Sequence, residues 1–312
     1  MLSNQQLSLQ LNNHYIIMGQ KIQTTLNSWE QIFQINNRFL LPFIFRGHSQ
    51  SDMILETSIE RTIKKFISPP LNDKYTTQER WMLFEFSRRY HLYSNLSNLI
   101  KEEDKFEWLA IMQHYGAPTR LLDFTYSFFI ASFFAIVDST CEASIWALNR
   151  HILRDNLADN YLSYKKREIL KDEINLKHIA FANQFIARKF DPNYEYPSTI
   201  IPLEPKLLNE RLSKQQGLFL MPTNPEKSFS DNLKSALKTD KIDLQEITIE
   251  KLIELSLKRD QEPIEIIKFI LPKHTHKEII RRLTGMNITY ETLFPGLDGL
   301  AKSLTQTQIE RD

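Results

Sequence analysis

The stretch from Gln113 to Ala135, QHYGAPTRLLDFTYSFFIASFFA, constrains the fold more than any other part of the chain. Its first thirteen residues hold a His, an Arg, an Asp and two Thr, and a continuous apolar run follows. Charged side chains are seldom buried without partners. The cluster is therefore paired, solvated at a cleft, or both, and it stands at the mouth of an element that must itself be buried. A residue before proline is pushed out of helical geometry, so Ala117-Pro118 separates a helix over Glu107 to Gln113, ending near Gly116, from a strand over Thr119 to Phe124. Phe128 to Val137 then reads as a buried helix. Along the strand, Thr119, Leu121 and Asp123 share one face, and Arg120, Leu122 and Phe124 share the other. Arg120 and Asp123 thus each need a partner from elsewhere.

The rest of the chain fits an ordinary globular protein. Its 312 residues suffice for one large domain or two small ones, and hydrophobic and charged contents of 42% and 25% are unexceptional. A formal net charge of +1 supplies no global field toward nucleic acid or anionic lipid, although it hides any local basic groove. Cys141 is the only cysteine, which excludes an intramolecular disulfide framework and a multi-cysteine metal site and fits a reducing, cytoplasmic setting. The first twenty residues are too polar for a signal peptide or a membrane span, and the apolar run at Phe128 to Val137 is about half of what spans a bilayer. No membrane association and no metal are expected. Neither G-x-G-x-x-G nor a Walker A sequence occurs.

Patterning assigns most elements. A helix is expected near Thr25 to Asn37, a strand over Leu40 to Arg46 ended by Gly47, and a helix over 52–67 capped by Ser58. A long helix follows over 77–100, with Thr77 as its cap. Strands are expected at Ala143 to Leu148, Ser198 to Leu203, Leu218 to Met221 and Ile264 to Leu271. Helices are expected over Lys165 to Lys189 and Lys277 to Leu283. The lysine- and glutamate-rich segment 223–262 is helical in pattern, and Leu293 to Lys302 reads as a closing loop. Strands and helices intersperse without strict alternation, which argues for an α+β fold with a mixed or antiparallel sheet and surrounding helices.

Several side chains suit chemistry. Arg46 closes an apolar strand before a glycine that permits a tight turn. Its guanidinium can grip a phosphate or carboxylate bidentately, or pair with a core carboxylate such as Asp123. His114 can bind a backbone carbonyl or a phosphate, or act as an acid or base; a lone histidine often serves structure alone. Thr125 and Ser127 can shape a pocket, and Ser127 can also cap the helix that starts near Phe128. His274 and His276 have spacing that suits a strand, and no partner cluster accompanies them. The short basic groups Lys64-Lys65, Arg88-Arg89 and Lys165-Lys166-Arg167 suit solvated helix faces.

Four blocks resemble the FRG domain family, named for a Phe-Arg-Gly tripeptide that here is Phe45-Arg46-Gly47. They are FIFRGHSQSDMILETSIER (Phe43 to Arg61), EWLAIMQHYGAPTRLLDFT (Glu107 to Thr125), RLSKQQGLF (Arg211 to Phe219) and TLFPGLDGLA (Thr292 to Ala301). The resemblance implies a polar lead-in over 1–24, an FRG domain over 25–302 with a helical segment at about 223–262, and a polar tail over 303–312.

The FRG strand and the Thr-rich strand-to-helix turn in turn resemble two motifs of the ADP-ribosyltransferase fold. That likeness implies NAD as substrate, an acceptor that is either a protein or a nucleic acid, and a role as a toxin-like or anti-phage defence effector. Arg46, His114, Asp123 and Gln215 become candidate catalytic residues. Gly47, His48, Gln113, Thr119, Arg120, Thr125, Ser127 and Arg211 become candidates for binding. Transferases of this fold place a glutamate in the third block, whereas this chain has Gln215 and Gln216. An amide accepts from a ribose hydroxyl but offers no charge to an oxocarbenium ion. Either another carboxylate, Asp123 or Glu204, supplies that charge, or the cleft belongs to a non-catalytic sensor of a nucleotide, nucleic acid or partner.

Overall fold

The structure is a computed structural model that describes residues 19–35, 40–66, 74–94, 100–161, 171–187, 197–257 and 263–311. The polar first eighteen residues and the Lys165-Lys166-Arg167 triplet lie outside the described residues. Eight strands form one mixed sheet: β1 (Gln20–Thr25), β2 (Phe43–His48), β3 (Leu122–Thr125), β4 (Ala143–Asn149), β5 (Ile200–Leu203), β6 (Gly217–Pro222), β7 (Gln245–Glu246) and β8 (Ile264–Leu271). Their order is β5-β6-β3-β2-β4-β8-β1-β7. β1 runs parallel to β7 and β8, and the remaining pairs are antiparallel. The fold is α+β, as expected.

Helices cover both faces. α1 (Trp29–Ile35) precedes β2, and α2 (Ser58–Phe66), α3 (Lys74–Arg89) and α4 (Lys105–His114) lie between β2 and β3. α5 (Phe128–Ile136) follows β3 directly. It is apolar on nearly all sides because it packs between the sheet and other helices. Phe128 sits edge-on to Phe45 of β2 at 5.4 Å and to Phe269 of β8 at 5.2 Å. Burying one such phenyl ring contributes about 1.5–3 kcal/mol. Gly47 permits this packing. A Cβ there would stand 2.3 Å from the carbonyl oxygen of Ala131 and 2.5 Å from the nitrogen of Ala135, inside the backbone of α5.

β8 falls where the sequence reads a strand, and β2, β3, β4, β5 and β6 each overlap the run assigned to them. Other elements differ for physical reasons. β1 forms where the sequence reads as lead-in, because Ile22 and Thr24 alternate into the core while the strand pairs with β8. Thr57, rather than Ser58, caps α2: its N–H donates to Glu60 Oε2 at 2.6 Å and its hydroxyl accepts from Glu60 N at 3.4 Å. Position 58 is thereby freed for another use. α3 begins before Thr77.

α6 (Arg150–Tyr161) starts directly at the end of β4, where no helix was expected, and α7 (Lys171–Ala187) follows. Segment 223–262 divides into α9 (Phe229–Ala236), β7 and α10 (Ile249–Leu257), after the short α8 (Glu210–Lys214). His276 opens α11 (His276–Gly285) and bonds the Leu271 carbonyl at 3.0 Å. The expected closing loop is instead two helices, α12 (Tyr290–Leu293) and α13 (Leu297–Arg311). Gly299 allows the corner between them, since a Cβ there would meet Phe294 O at 1.8 Å.

No described helix is long and apolar enough to cross a membrane.

Candidate functional site

β2 and β3 are neighbours in the sheet, but their register holds a single pair, Phe45 opposite Thr125. β2 runs its full length, Phe43 to His48, beside β4, and β3 runs its full length beside β6. The sheet therefore parts between β2 and β3, and backbone groups there lose their ladder partners. A cleft of about 240 Å³ opens beside the parting. Arg46, Gly47, Asp123, Thr125, Arg211 and Gln215 line it, with Phe134 and Leu212 among its apolar walls.

Arg46 spans the gap. Its Nη1 donates to the backbone carbonyl of Asp123 at 2.8 Å, and its Nε donates to His48 Nε2 at 3.1 Å. His48 must accept on Nε2, so its proton sits on Nδ1, which faces Met53 O at 3.3 Å. Burial and the adjacent Arg46 charge push the His48 pKa down to about 3, so it is a neutral positioning group. Burial lowers the Arg46 pKa as well, against the pull of Asp123. A guanidinium nonetheless remains charged in any protein.

The Asp123 side chain is just over half exposed at 54%. It is held from the other side by Gln113 Nε2 at 2.8 Å. Gln113 is itself oriented by the buried Thr119, whose hydroxyl donates to Gln113 Oε1 at 2.6 Å. The Ser58 hydroxyl completes this chain, accepting from Thr119 N at 3.0 Å and donating to Thr119 O at 3.1 Å. Ser58, Thr119 and Gln113 thus form a hydrogen-bonded line that ends on one solvent-facing carboxylate.

The third block supplies Arg211, Leu212 and Gln215 to the lining, and the fourth block packs behind them. Gln215 ends α8, and its carbonyl accepts from the Thr125 hydroxyl at 2.7 Å. Thr125 Oγ1 also accepts from Ser127 N at 3.0 Å, and the Ser127 hydroxyl caps α5 by accepting from Ile130 N. The Gln215 side chain donates to Leu293 O at 3.1 Å. Arg211 lies with its guanidinium 4.5 Å from the centre of the Phe294 ring. Burial lowers its pKa, with Asp123 opposing.

The structure therefore gathers Arg46, Gly47, Asp123, Thr125, Arg211 and Gln215 into one cleft, with His48, Gln113 and Thr119 behind them. Ser127 caps a helix. His114 does not line the cleft; it stacks edge-on with Tyr115 at 4.9 Å, and burial and Arg211 lower its pKa.

Arg120, expected among the binding residues, is elsewhere. It is 5% exposed and held by Glu79 of α3, which accepts from its backbone N at 3.1 Å and its Nε at 2.6 Å. The opposite-face argument holds for it, and Glu79 is the partner that the sequence did not single out. Glu204 also lies apart, in a different cavity with Tyr126. Sequence reasoning missed Phe134 and Leu212 as cleft walls. Phe294 stood in the fourth block, but an aromatic in a loop-like stretch gives no sign that it covers an arginine.

The chain is an α+β protein whose sheet parts beside a cleft carrying two arginines and one exposed carboxylate. Residues 42–144 match the family model of the FRG domain, so the chain carries an FRG domain. The match holds Arg46 and the whole Gln113 to Asp123 segment, while Arg211, Gln215 and Phe294 lie beyond it. No curated protein and no solved structure matches the chain.

Proposed function

We propose that the cleft binds NAD⁺ and that the protein transfers ADP-ribose from it, as a toxin-like or anti-phage effector acting in the cytoplasm. One observation carries this reading: two guanidiniums, Arg46 and Arg211, share a cleft with a single exposed carboxylate, Asp123. Paired arginines suit a pyrophosphate. A cleft of about 240 Å³ is smaller than the roughly 300–1,000 Å³ typical of small-molecule sites, so it would take one end of a dinucleotide and leave the other on the rim.

In the reaction, the bond between ribose C1′ and the nicotinamide nitrogen breaks, and nicotinamide leaves with the electron pair. The positive charge that builds on the sugar is stabilised by the Asp123 carboxylate, which Gln113 holds toward solvent. A nucleophile of the acceptor then bonds to C1′ and gives up its proton to Asp123 or water. Gln215 contacts the ribose through its amide oxygen, because its nitrogen is engaged by Leu293 O.

A second reading is favoured by that same residue. With an amide rather than a carboxylate at Gln215, the cleft suits a sensor that binds a nucleotide without consuming it. Incubation of the full chain with NAD⁺ labelled on its adenylate, in the presence of cell lysate, separates the two. Nicotinamide release with label on an acceptor supports the transferase. Saturable NAD⁺ binding without release supports the sensor, and an absence of both removes the nucleotide from the site.

A further inference from the structure

A second cavity, of about 310 Å³, shares no lining residue with the cleft. It lies where the start of α6, the first half of α7 and the end of β5 meet, and its volume falls within the range of small-molecule sites. Arg150 and Arg154 stand one turn apart on α6 and both line it. Glu204 lines it as well. Asn175 of α7 fixes that residue by accepting from its N–H at 3.1 Å and donating to its carbonyl at 2.9 Å. The Tyr126 hydroxyl donates to the Glu204 carboxylate at 2.5 Å, and the Arg150 guanidinium lies 5.1 Å from the centre of the Tyr126 ring.

The charges on this lining do not cancel. Burial lowers the pKa of both His151 and His178, that of His178 to about 4, so both imidazoles are neutral at pH 7. Two guanidiniums then face one carboxylate. Arg150 Nε is fully buried and has no hydrogen-bond partner among the described residues. Among the described residues Arg154 is engaged by its exposed neighbour Asp155, at 2.9–3.0 Å, a solvent-screened pair that an anion can displace.

We propose that this cavity binds a small phosphorylated molecule that also carries hydroxyl groups, of the sugar-phosphate class. The phosphate accepts from Arg150 and Arg154, whose successive-turn placement lets one tetrahedral anion meet both. A sugar hydroxyl donates to the Glu204 carboxylate. That carboxylate would only repel a bare phosphate, so it gives the site its preference for a hydroxylated ligand.

Titration calorimetry on the full chain tests this with ribose 5-phosphate, inorganic phosphate, ribose and acetate as probes. Ribose 5-phosphate binds most tightly. Arg154→Ala and Arg154→Gln, both at a half-exposed position, weaken it tenfold or more while circular dichroism stays unchanged. Glu204→Gln narrows the preference for ribose 5-phosphate over inorganic phosphate, and Arg46→Ala leaves binding unchanged. The proposal is overturned by an absence of phosphate-probe binding at millimolar concentration, or by acetate binding as tightly as the phosphates. It is equally overturned if binding survives both Arg154 variants, is lost with Arg46→Ala, or keeps its full sugar preference in Glu204→Gln.

Discussion

Arg46 reaches Asp123 through the backbone rather than through the carboxylate: Nη1 lies 2.8 Å from the Asp123 carbonyl oxygen but 3.9 Å from Oδ2. The guanidinium replaces a ladder bond that the parting of β2 and β3 removes. With Nε on His48 and Nη1 on Asp123, no partner for Nη2 is found among the described residues, which leaves it for a ligand. The carboxylate is held by Gln113 and faces solvent, so its pairing with the guanidinium is the longer of the two contacts.

This arrangement separates anchoring from binding at Arg46. Arg46→Ala leaves a backbone carbonyl at the parting without its donor, which costs about 1–3 kcal/mol of stability. It also removes one of two anion-binding guanidiniums, so NAD⁺ affinity falls tenfold or more. Arg46→Lys recovers charge but not the three-way fork, and restores little of the affinity. Thermal melts and calorimetry on both variants check this, and NAD⁺ binding that is unchanged in Arg46→Ala would end the assignment of the cleft.

His48 makes the protein acid-sensitive in a defined window. Its folded-state pKa of about 3 lies below the ordinary histidine value, so the unfolded chain takes up a proton first as pH falls. Its contribution to stability is complete above about pH 6.5 and is lost progressively down to about pH 3. His178, lowered to about 4, adds to the same trend. His48→Gln keeps an acceptor for Arg46 Nε without the titration. The variant should show a flatter fall in melting temperature between pH 7 and pH 4. An imidazole of His48 that titrates near pH 6.5 by NMR would contradict the neutral assignment.

Glu79 and Arg120 form a buried pair, with side chains only 2% and 7% exposed. Removing one partner strands the other charge, so Glu79→Ala should cost about 3–5 kcal/mol. Replacing both, as in Glu79→Leu with Arg120→Met, should be far milder because no charge is left unpaired. A double-mutant cycle by denaturant unfolding measures this. Purely additive losses would mean that the pair does not act as a unit.

The parts of the fold that the sequence disclosed are those where local pattern and burial agree. Ile264–Leu271 is an apolar run between Pro263 and Pro272, and it is a central strand with those bounds. Phe128 to Val137 could only be a buried helix. The α+β class followed from such elements, whereas the gathering of Arg46, Asp123 and Gln215 from three distant segments was an expectation that the family resemblance implied. β1 was not legible, because every residue of Gln20–Thr25 except Ile22 is polar and its strand identity comes from pairing with β8 some 240 residues later. Arg120 was misplaced for a related reason. The alternation showed that it faced away from Asp123, but nothing in Glu79 marks it as a buried partner. Gln113 was legible as a site residue but not as the holder of Asp123, since that depends on how the end of α4 meets β3.

Gly47 is needed by α5 rather than by the cleft. Gly47→Ala would drive a methyl into the backbone at Ala131 and Ala135, and a helix backbone cannot yield as a flexible side chain does. Overpacking of this kind costs typically about 1–3 kcal/mol. Because Gly47 adjoins Arg46, the shift of β2 needed to relieve the clash also moves the guanidinium. Melting temperature and NAD⁺ affinity should therefore fall together. An unchanged melting temperature would mean that α5 has room to retreat.

Gln215→Glu decides most sharply between transferase and sensor. The natural side chain donates to Leu293 O at 3.1 Å, and a glutamate cannot, so its carboxylate is repelled by that carbonyl and turned toward the cleft. Arg211, one turn earlier and already in the cleft, is a cation that can receive it. In a transferase, the added carboxylate reinforces Asp123 as positive charge builds on the ribose, and the rate of nicotinamide release is kept or raised. Gln215→Ala, by contrast, lowers turnover more than it weakens NAD⁺ binding, because its contact matters most in the transition state. In a sensor, the glutamate adds negative charge beside an anionic ligand and weakens binding with no gain in release. Nicotinamide release and NAD⁺ affinity, measured side by side on the natural protein and both variants, give the answer. If neither the natural protein nor Gln215→Glu releases nicotinamide with any acceptor mixture while both retain NAD⁺, the transferase reading falls and the sensor stands.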